Sequence, residues 1–363
     1  MRVSGFRLTP PVAAYNKASM MFPPRPNFSV RLLLALCLAP LFSHAGTVEK
    51  IEYNSVDAYR ITDGKTEAVV VPSFSGRIMR YGAVGGANWM WNSPAEKLTG
   101  KGYQNYGGDK TFAGPHPFWG AFESVWPPDP TWDGPAHVAE VLPEGRLKTT
   151  GNIWRGFGVR IIREFSYSAA GELVVTQTID KVEGEPRQLA VWPVTQTAPP
   201  DAVYIPLNPN SAYTRGYHPF GGLPASAQVE TLAGTTSEGS EPGSRSRLLK
   251  ITPTVGTGYK LGTDSLVASI AAVKGDAMFL QRGEKLKGQY PDGAEGSGMS
   301  VEFYNHWDKA PNHFVELELL SALKTLKVGG SLTFTSRWSL HNLPSDPQEK
   351  LKTIEILLNE QPK

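Results

Sequence analysis

The chain has 363 residues, 36 Lys and Arg against 34 Asp and Glu, and a formal net charge of +2. No basic stripe accompanies this near balance, so nucleic acid is not an expected partner. The single cysteine, Cys37, excludes an intramolecular disulfide framework.

In chain order, the first 45 residues carry Arg2, Arg7, Lys17, Arg25 and Arg31 and no acid. Residues 32–38 are apolar, and Ser43-His44-Ala45 places small residues where a signal peptidase reads. This pattern predicts a signal peptide over residues 1–45, cleaved after Ala45, and a periplasmic or secreted protein. Counted from Met20 or Met21 the basic region takes ordinary proportions, which suggests a start at one of them. The apolar run is too short to span a bilayer, so no membrane association is expected once the leader is gone. Leu36 stands before Cys37 where a lipoprotein signal wants a small residue. Removing the five positive charges leaves residues 46–363 at −3 with no thiol nucleophile. They are expected to form a single β domain.

Short runs rich in β-branched residues predict strands at 67–71, 77–81, 159–166, 172–179, 189–195, 265–273, 277–281, 299–304, 314–320 and 331–340. Asp63-Gly64, Gly85-Gly86, Ala170-Gly171, Glu183-Gly184 and Gly329-Gly330 mark turns between them. Many short strands at this spacing predict an all-β sandwich or barrel. The polar stretch 235–246 reads as a surface loop within the domain, and 288–298 as a second flexible loop. One helix is expected at the C-terminus. Ser345 or Asp346 would cap it, and Leu351, Ile354, Leu357 and Leu358 would form its apolar face against the outside of the sheet.

Residues 105–134 read NYGGDKTFAGPHPFWGAFESVWPPDPTWDG. Their density of proline predicts neither helix nor central strand but a long structured loop, and such loops are usually functional. Flat aromatic rings beside Asp109, Lys110, His116, Glu123, Asp129 and Asp133 suit a ligand with apolar ring faces and many hydroxyls, as a mono- or oligosaccharide has. Trp119, Trp126 and Trp132 are the expected stacking platforms. No metal site is expected: the histidines lack an HExxH spacing, and Pro130 and Pro135 break the helix that would align Asp129, Asp133 and His137. His218 and His306 are candidate proton donors near neutral pH. In the stretch 314–320, Glu316 and Glu318 share one strand face, where one of them could serve as a general base. No GxSxG or phosphate-binding glycine loop occurs, and no cofactor is expected.

Three of these pieces resemble the aldose 1-epimerases and the wider galactose mutarotase-like superfamily. Gly76-Arg77-Ile78-Met79-Arg80-Tyr81 is similar to an early strand of that family. Asn105-Tyr106-Gly107-Gly108 resembles its His-Gly-Gly turn. Val315-Glu316-Leu317-Glu318, with Leu326-Lys327-Val328-Gly329-Gly330 after it, resembles its late strand and turn. The strings NYGGDK, WPPDPxWDG and VELELLS resemble an uncharacterised bacterial branch. The resemblance implies one galactose mutarotase-like β-supersandwich with a short C-terminal helix and a sugar cleft across a sheet face. It implies Glu316, with Glu318 second, as the base that takes the anomeric proton. It departs from the family twice: Tyr106 stands for the histidine of the first turn, and Gln196 stands where the acid histidine is expected. Glutamine cannot supply a proton. His218 or His116 would then be the acid, while Arg77, Lys110, Asn105, Tyr106, Asp109, Asp133 and Gln196 would bind hydroxyls. The alternative is a non-catalytic carbohydrate-binding or cell-envelope module. A third reading, a polysaccharide lyase, would use Tyr106 with Lys110 and Arg77.

Overall fold

The computed structural model describes residues 46–98, 103–116, 132–234, 247–293 and 298–360. The leader, Trp119 and Trp126 lie outside the described residues, as does the polar stretch 235–246. All described residues fall within one unit, Phe42–Lys363.

The chain runs through β1 (Thr47–Tyr53), β2 (Val56–Thr62), β3 (Thr66–Val71), β4 (Arg77–Ala83), β5 (Asp109–Gly114), β6 (Val138–Leu142) and β7 (Arg146–Thr150). It continues with β8 (Val159–Tyr167), β9 (Leu173–Lys181), β10 (Arg187–Thr197), β11 (Ala202–Leu207), β12 (His218–Phe220), β13 (Gln228–Ala233) and β14 (Arg247–Thr252). The last third holds β15 (Tyr259–Thr263), β16 (Ser269–Lys274), β17 (Ala277–Gly283), β18 (Val301–Asn305), β19 (Val315–Leu319), β20 (Lys324–Leu326), β21 (Ser331–Asn342) and α1 (Pro347–Asn359). The ten predicted strands are all present, most of them one or two residues longer.

Two antiparallel sheets form. The first runs β1-β2-β3-β4-β5-β10-β19-β18-β15-β12, with β20 also on β10; the second runs β13-β14-β11-β16-β17-β21-β9-β8-β7-β6. Burial along β8 and β9 alternates residue by residue, as it must where one face meets a core and the other faces water. Between the sheets lies one apolar core that includes Ile78, Val191, Leu317, Phe303, Ile161, Val175, Phe279 and Phe334. Polar ties cross it. Arg163 on β8 pairs with Asp109 on β5, Thr111 donates to Gln177 Oε1 at 2.7 Å, and Gln281 Nε2 donates to Thr195 Oγ1 at 2.8 Å.

The terminal helix forms as expected. Asp346 caps it by accepting from the backbone N–H of Gln348 and Glu349 at 3.0 and 2.9 Å. Ile354 and Leu358 are buried in a second cluster with Leu248, Ala271, Met278 and Leu280 on the outside of the second sheet.

One expectation is corrected. The stretch 105–134 is not loop throughout: β5 is a buried central strand, paired with β10 from Thr195↔Asp109 to Ala190↔Gly114. The prolines begin only at Pro115, so the six residues before them are free to complete a ladder.

Candidate functional site

The outer face of the first sheet, turned away from the second, gathers the charged residues. Side chains of directly opposed residues share a face, and alternate residues take opposite faces. Gln196 on β10 opposes Glu316 on β19, which opposes Tyr304 on β18. Tyr304 in turn opposes Lys260 on β15. One step along, Lys110 on β5 opposes Val194, Val194 opposes Glu318, and Glu318 opposes Glu302. Between these residues Thr195, Leu317 and Phe303 point into the core.

The two carboxylates of β19 have different surroundings. Glu318 is fully buried, and its Oε2 accepts from Trp192 Nε1 at 2.6 Å and from Lys260 Nζ at 2.8 Å. Glu316 is half-buried and accepts from Gln196 Nε2 at 2.8 Å. Burial and the neighbouring Glu318 raise its pKa, against the pull of Lys110, Gln196 and Lys260. Lys260 also reaches Glu302 at 2.6 Å. Burial lowers the Lys260 pKa, but Glu302 and Glu318 outweigh it and hold the ammonium well above its usual range. Burial pushes Glu302 up to about 8 despite Lys260, with Glu318 and Asp292 adding to the rise. Three buried acceptors on these strands, Gln196 Oε1, Glu302 Oε1 and Glu318 Oε1, make no hydrogen bond among the described residues.

The glycine pair before β5 fixes the near edge. Gly107 and Gly108 have φ of +87° and +68°, and a Cβ on them would lie 2.3 Å from Trp91 O and 2.4 Å from Ile78 O. No other residue fits that conformation at that approach. The turn lets Gly108 N donate to Trp91 O at 2.8 Å, while Gln196 N donates to Gly108 O at 2.9 Å. Asn105 Oδ1 accepts from Gly107 N at 3.4 Å. Trp91 comes to rest 4.5 Å from the Phe314 ring, on the strand entry that leads to Glu316.

The structure therefore brings Lys110, Gln196, Glu316 and Glu318 to one face. It places several other predicted residues elsewhere. Asp109 points into the core and pairs with Arg163, because it precedes Lys110 by one position on a strand. Arg77 is fully buried, donating to Asp133 Oδ2 at 2.6 Å and to Gly107 O at 2.9 Å, so both it and Asp133 serve the turn rather than orient hydroxyls. Tyr106 stacks on Phe74 at 4.4 Å and packs over Val69, Val71 and Met79. Trp132 is 8 % exposed and stacks flat on Trp154 at 4.0 Å, so it is core and not a platform. His218 is exposed on the edge strand β12, opposite Gly262. That puts it about 14 Å from β19 at three strand spacings, too far to act with Glu316. His116 lies beyond β5, its ring 6.0 Å from Trp192. Lys260, Glu302, Trp192 and Tyr304 were missed from sequence. The alternation in 301–305 could have flagged Glu302 and Tyr304 as the one in 315–319 flagged the glutamates.

Among the described residues no cluster of His, Cys, Asp or Glu is arranged to hold a metal, and no helix is long and apolar enough to cross a membrane. A separate cavity of about 480 Å³, lined by Trp89, Met278, Leu340 and Asn342 among others, opens where β3 and β4 meet β17 and β21.

No protein-family model matches the chain, and neither does any curated protein sequence. Solved structures do match. A candidate aldose 1-epimerase from Klebsiella pneumoniae aligns with a TM-score of 0.51 at 10% identity, covering 87% of this chain and 88% of that one. A galactose mutarotase-like protein from Lactobacillus casei aligns at 0.47 and 12% identity over 81% of this chain and 100% of that one. A TPR-domain-containing protein from Parabacteroides distasonis aligns at 0.48 and 12% identity over 80% of this chain, which spans 48% of that protein. At such identities the likeness speaks to the fold. Two antiparallel sheets in this order, with one short C-terminal helix, give the chain a galactose mutarotase-like β-sandwich fold.

Proposed function

We propose that the protein is an exported carbohydrate-binding protein. The outer face of its first sheet takes a mono- or oligosaccharide and exchanges the anomers of the reducing sugar. One observation carries the reading. Glu316 stands on that face beside three buried acceptors that lack hydrogen-bond partners among the described residues. Sugar hydroxyls are donors of the kind those acceptors need.

Glu316 is the base rather than Glu318. Lys260 and Trp192 already occupy Glu318 Oε2. Glu316 has one neutral donor, Gln196, and a raised pKa, which suits a carboxylate that must take a proton and return it. The base removes the proton of the anomeric hydroxyl, the ring opens, and closure on the other face gives the second anomer.

A non-catalytic binding module on the same fold is the alternative, favoured by glutamine at position 196. Polarimetry of a panel of aldoses separates the two. Mutarotation faster than the spontaneous rate, abolished in Glu316→Gln, supports the enzyme. Saccharide binding with no acceleration supports the module, and neither binding nor acceleration removes both. Export is tested by N-terminal sequencing of protein recovered from the periplasm or medium, which should begin at Gly46.

A further inference from the structure

The outer face carries two lysines in opposite settings. Lys260 lies between two carboxylates at 2.6 and 2.8 Å. Lys110 is 2 % exposed and makes no ion pair among the described residues. Its Nζ donates to Tyr103 Oη at 3.3 Å and lies 4.9 Å from the Phe112 ring centroid. A buried ammonium with no carboxylate in direct contact among the described residues is costly, and chains that keep one commonly use it.

Its position gives the use. Lys110 and Glu318 oppose the same residue, Val194, from the two sides of β10, and Glu316 is the next outward residue of β19. Two strand spacings of about 10 Å separate β5 from β19, enough for a sugar ring to lie between their side chains. We propose that Lys110 is the proton donor for the sugar's ring oxygen, acting across β10 from Glu316.

The inference rests on the anomer-exchange reading above. Glu316 takes the proton of O1, the O1 electrons form the C1=O1 bond, and the C1–O5 bond breaks with its electrons passing to O5. O5 takes a proton from the Lys110 ammonium, which becomes a neutral amine. Rotation about C1–C2 and reclosure run the same transfers backwards and return both protons. Gln196 has no proton to give, and Lys260 is held charged by its two carboxylates.

The groups facing Lys110 agree with this role. Burial and then Arg77 of β4 lower its pKa to about 8, against Asp133 and against Glu316 and Glu318 of β19. Tyr103, which touches it, is held neutral by burial. At neutral pH the ammonium is charged and can release its proton.

The test uses the aldose that the wild-type protein accelerates most, with mutarotation followed from pH 5 to 9.5 and sugar binding followed by calorimetry. Lys110→Gln should lower kcat at least ~100-fold while the sugar still binds. Lys110→Arg keeps the charge but cannot release a proton, and should fail equally. The wild-type rate should fall as pH rises through the Lys110 range, a limb that can be read without any variant. A wild-type rate flat to pH 9.5 would overturn the proposal, as would full turnover by either Lys110 variant. If Glu316→Gln is dead while the Lys110 variants are active, anomer exchange stands and the donor lies elsewhere. If the wild-type protein accelerates no aldose, anomer exchange itself fails and the donor role goes with it.

Discussion

Gln196 donates to Glu316 Oε1 at 2.8 Å from the position directly opposite it on the neighbouring strand. The bond favours the charged carboxylate and is one of the interactions opposing the rise in its pKa. Gln196→Leu should therefore raise the Glu316 pKa further. With Glu316 as the proposed base, the acid limb of the pH–rate profile would move to higher pH, because a base must be deprotonated to act. A limb that stays in place would mean that the rate does not depend on Glu316.

Lys260 neutralises two carboxylates that have almost no contact with water. Lys260→Met leaves both without a partner, and breaking a buried pair in this way costs about 3–5 kcal/mol. Chemical denaturation at pH 7 should show the loss. It should grow as pH rises from 7 to 9, because Glu302, whose folded-state pKa is raised to about 8 even beside Lys260, gives up its proton in the wild-type protein only there. Replacing Glu302, Glu318 and Lys260 together should recover part of the stability, since no member of the group is then left without its partner.

Trp132 contributes to folding and not to sugar stacking. Its ring lies on Trp154 at 4.0 Å and 5.1 Å from Phe112. Trp132→Ala should cost about 3–5 kcal/mol of unfolding free energy. Saccharide affinity of the folded fraction should be unchanged, and a specific loss of affinity at unaltered stability would contradict this assignment.

His137 sets an acid limit on stability. Burial first, then Arg163 and Arg77, lower its pKa to about 3. Between that value and the ordinary 6.5 the unfolded chain binds a proton that the folded chain does not. Stability is therefore fully present above the unfolded pKa and is lost as pH falls towards 3. Urea midpoints measured from pH 7 down to pH 5 should drop more for the wild-type protein than for His137→Gln. Parallel curves would show that the histidine titrates normally.

The parts of this molecule legible in sequence were those written in local periodicity. The β-rich runs predicted β3, β4, β8, β9, β10 and β19, and the pair Ser345-Asp346, of which Asp346 proves to be the cap, predicted the start of α1. The alternation in β19 was enough to put Glu316 and Glu318 on one face. What stayed hidden depends on pairing between distant strands. Lys260 meets Glu302 and Glu318 only because β15, β18 and β19 lie side by side. Which of Asp109 and Lys110 faces outward could not be assigned while β5 was read as loop, because inside and outside are defined only once a strand exists. Trp132 looked like a platform because its stacking partner, Trp154, lies beyond two intervening strands.

The alternation in β19 ties durability to chemistry. Val315, Leu317 and Leu319 fill the interior through the same two-residue rhythm that presents Glu316 and Glu318 on the other side. A slip of a single position would drive both acids into hydrocarbon and turn three aliphatic side chains outward. Misaligned copies of this strand are thus penalised by the fold before they could ever be tested on a substrate, and any chain that passes the first check arrives with its acids correctly aimed.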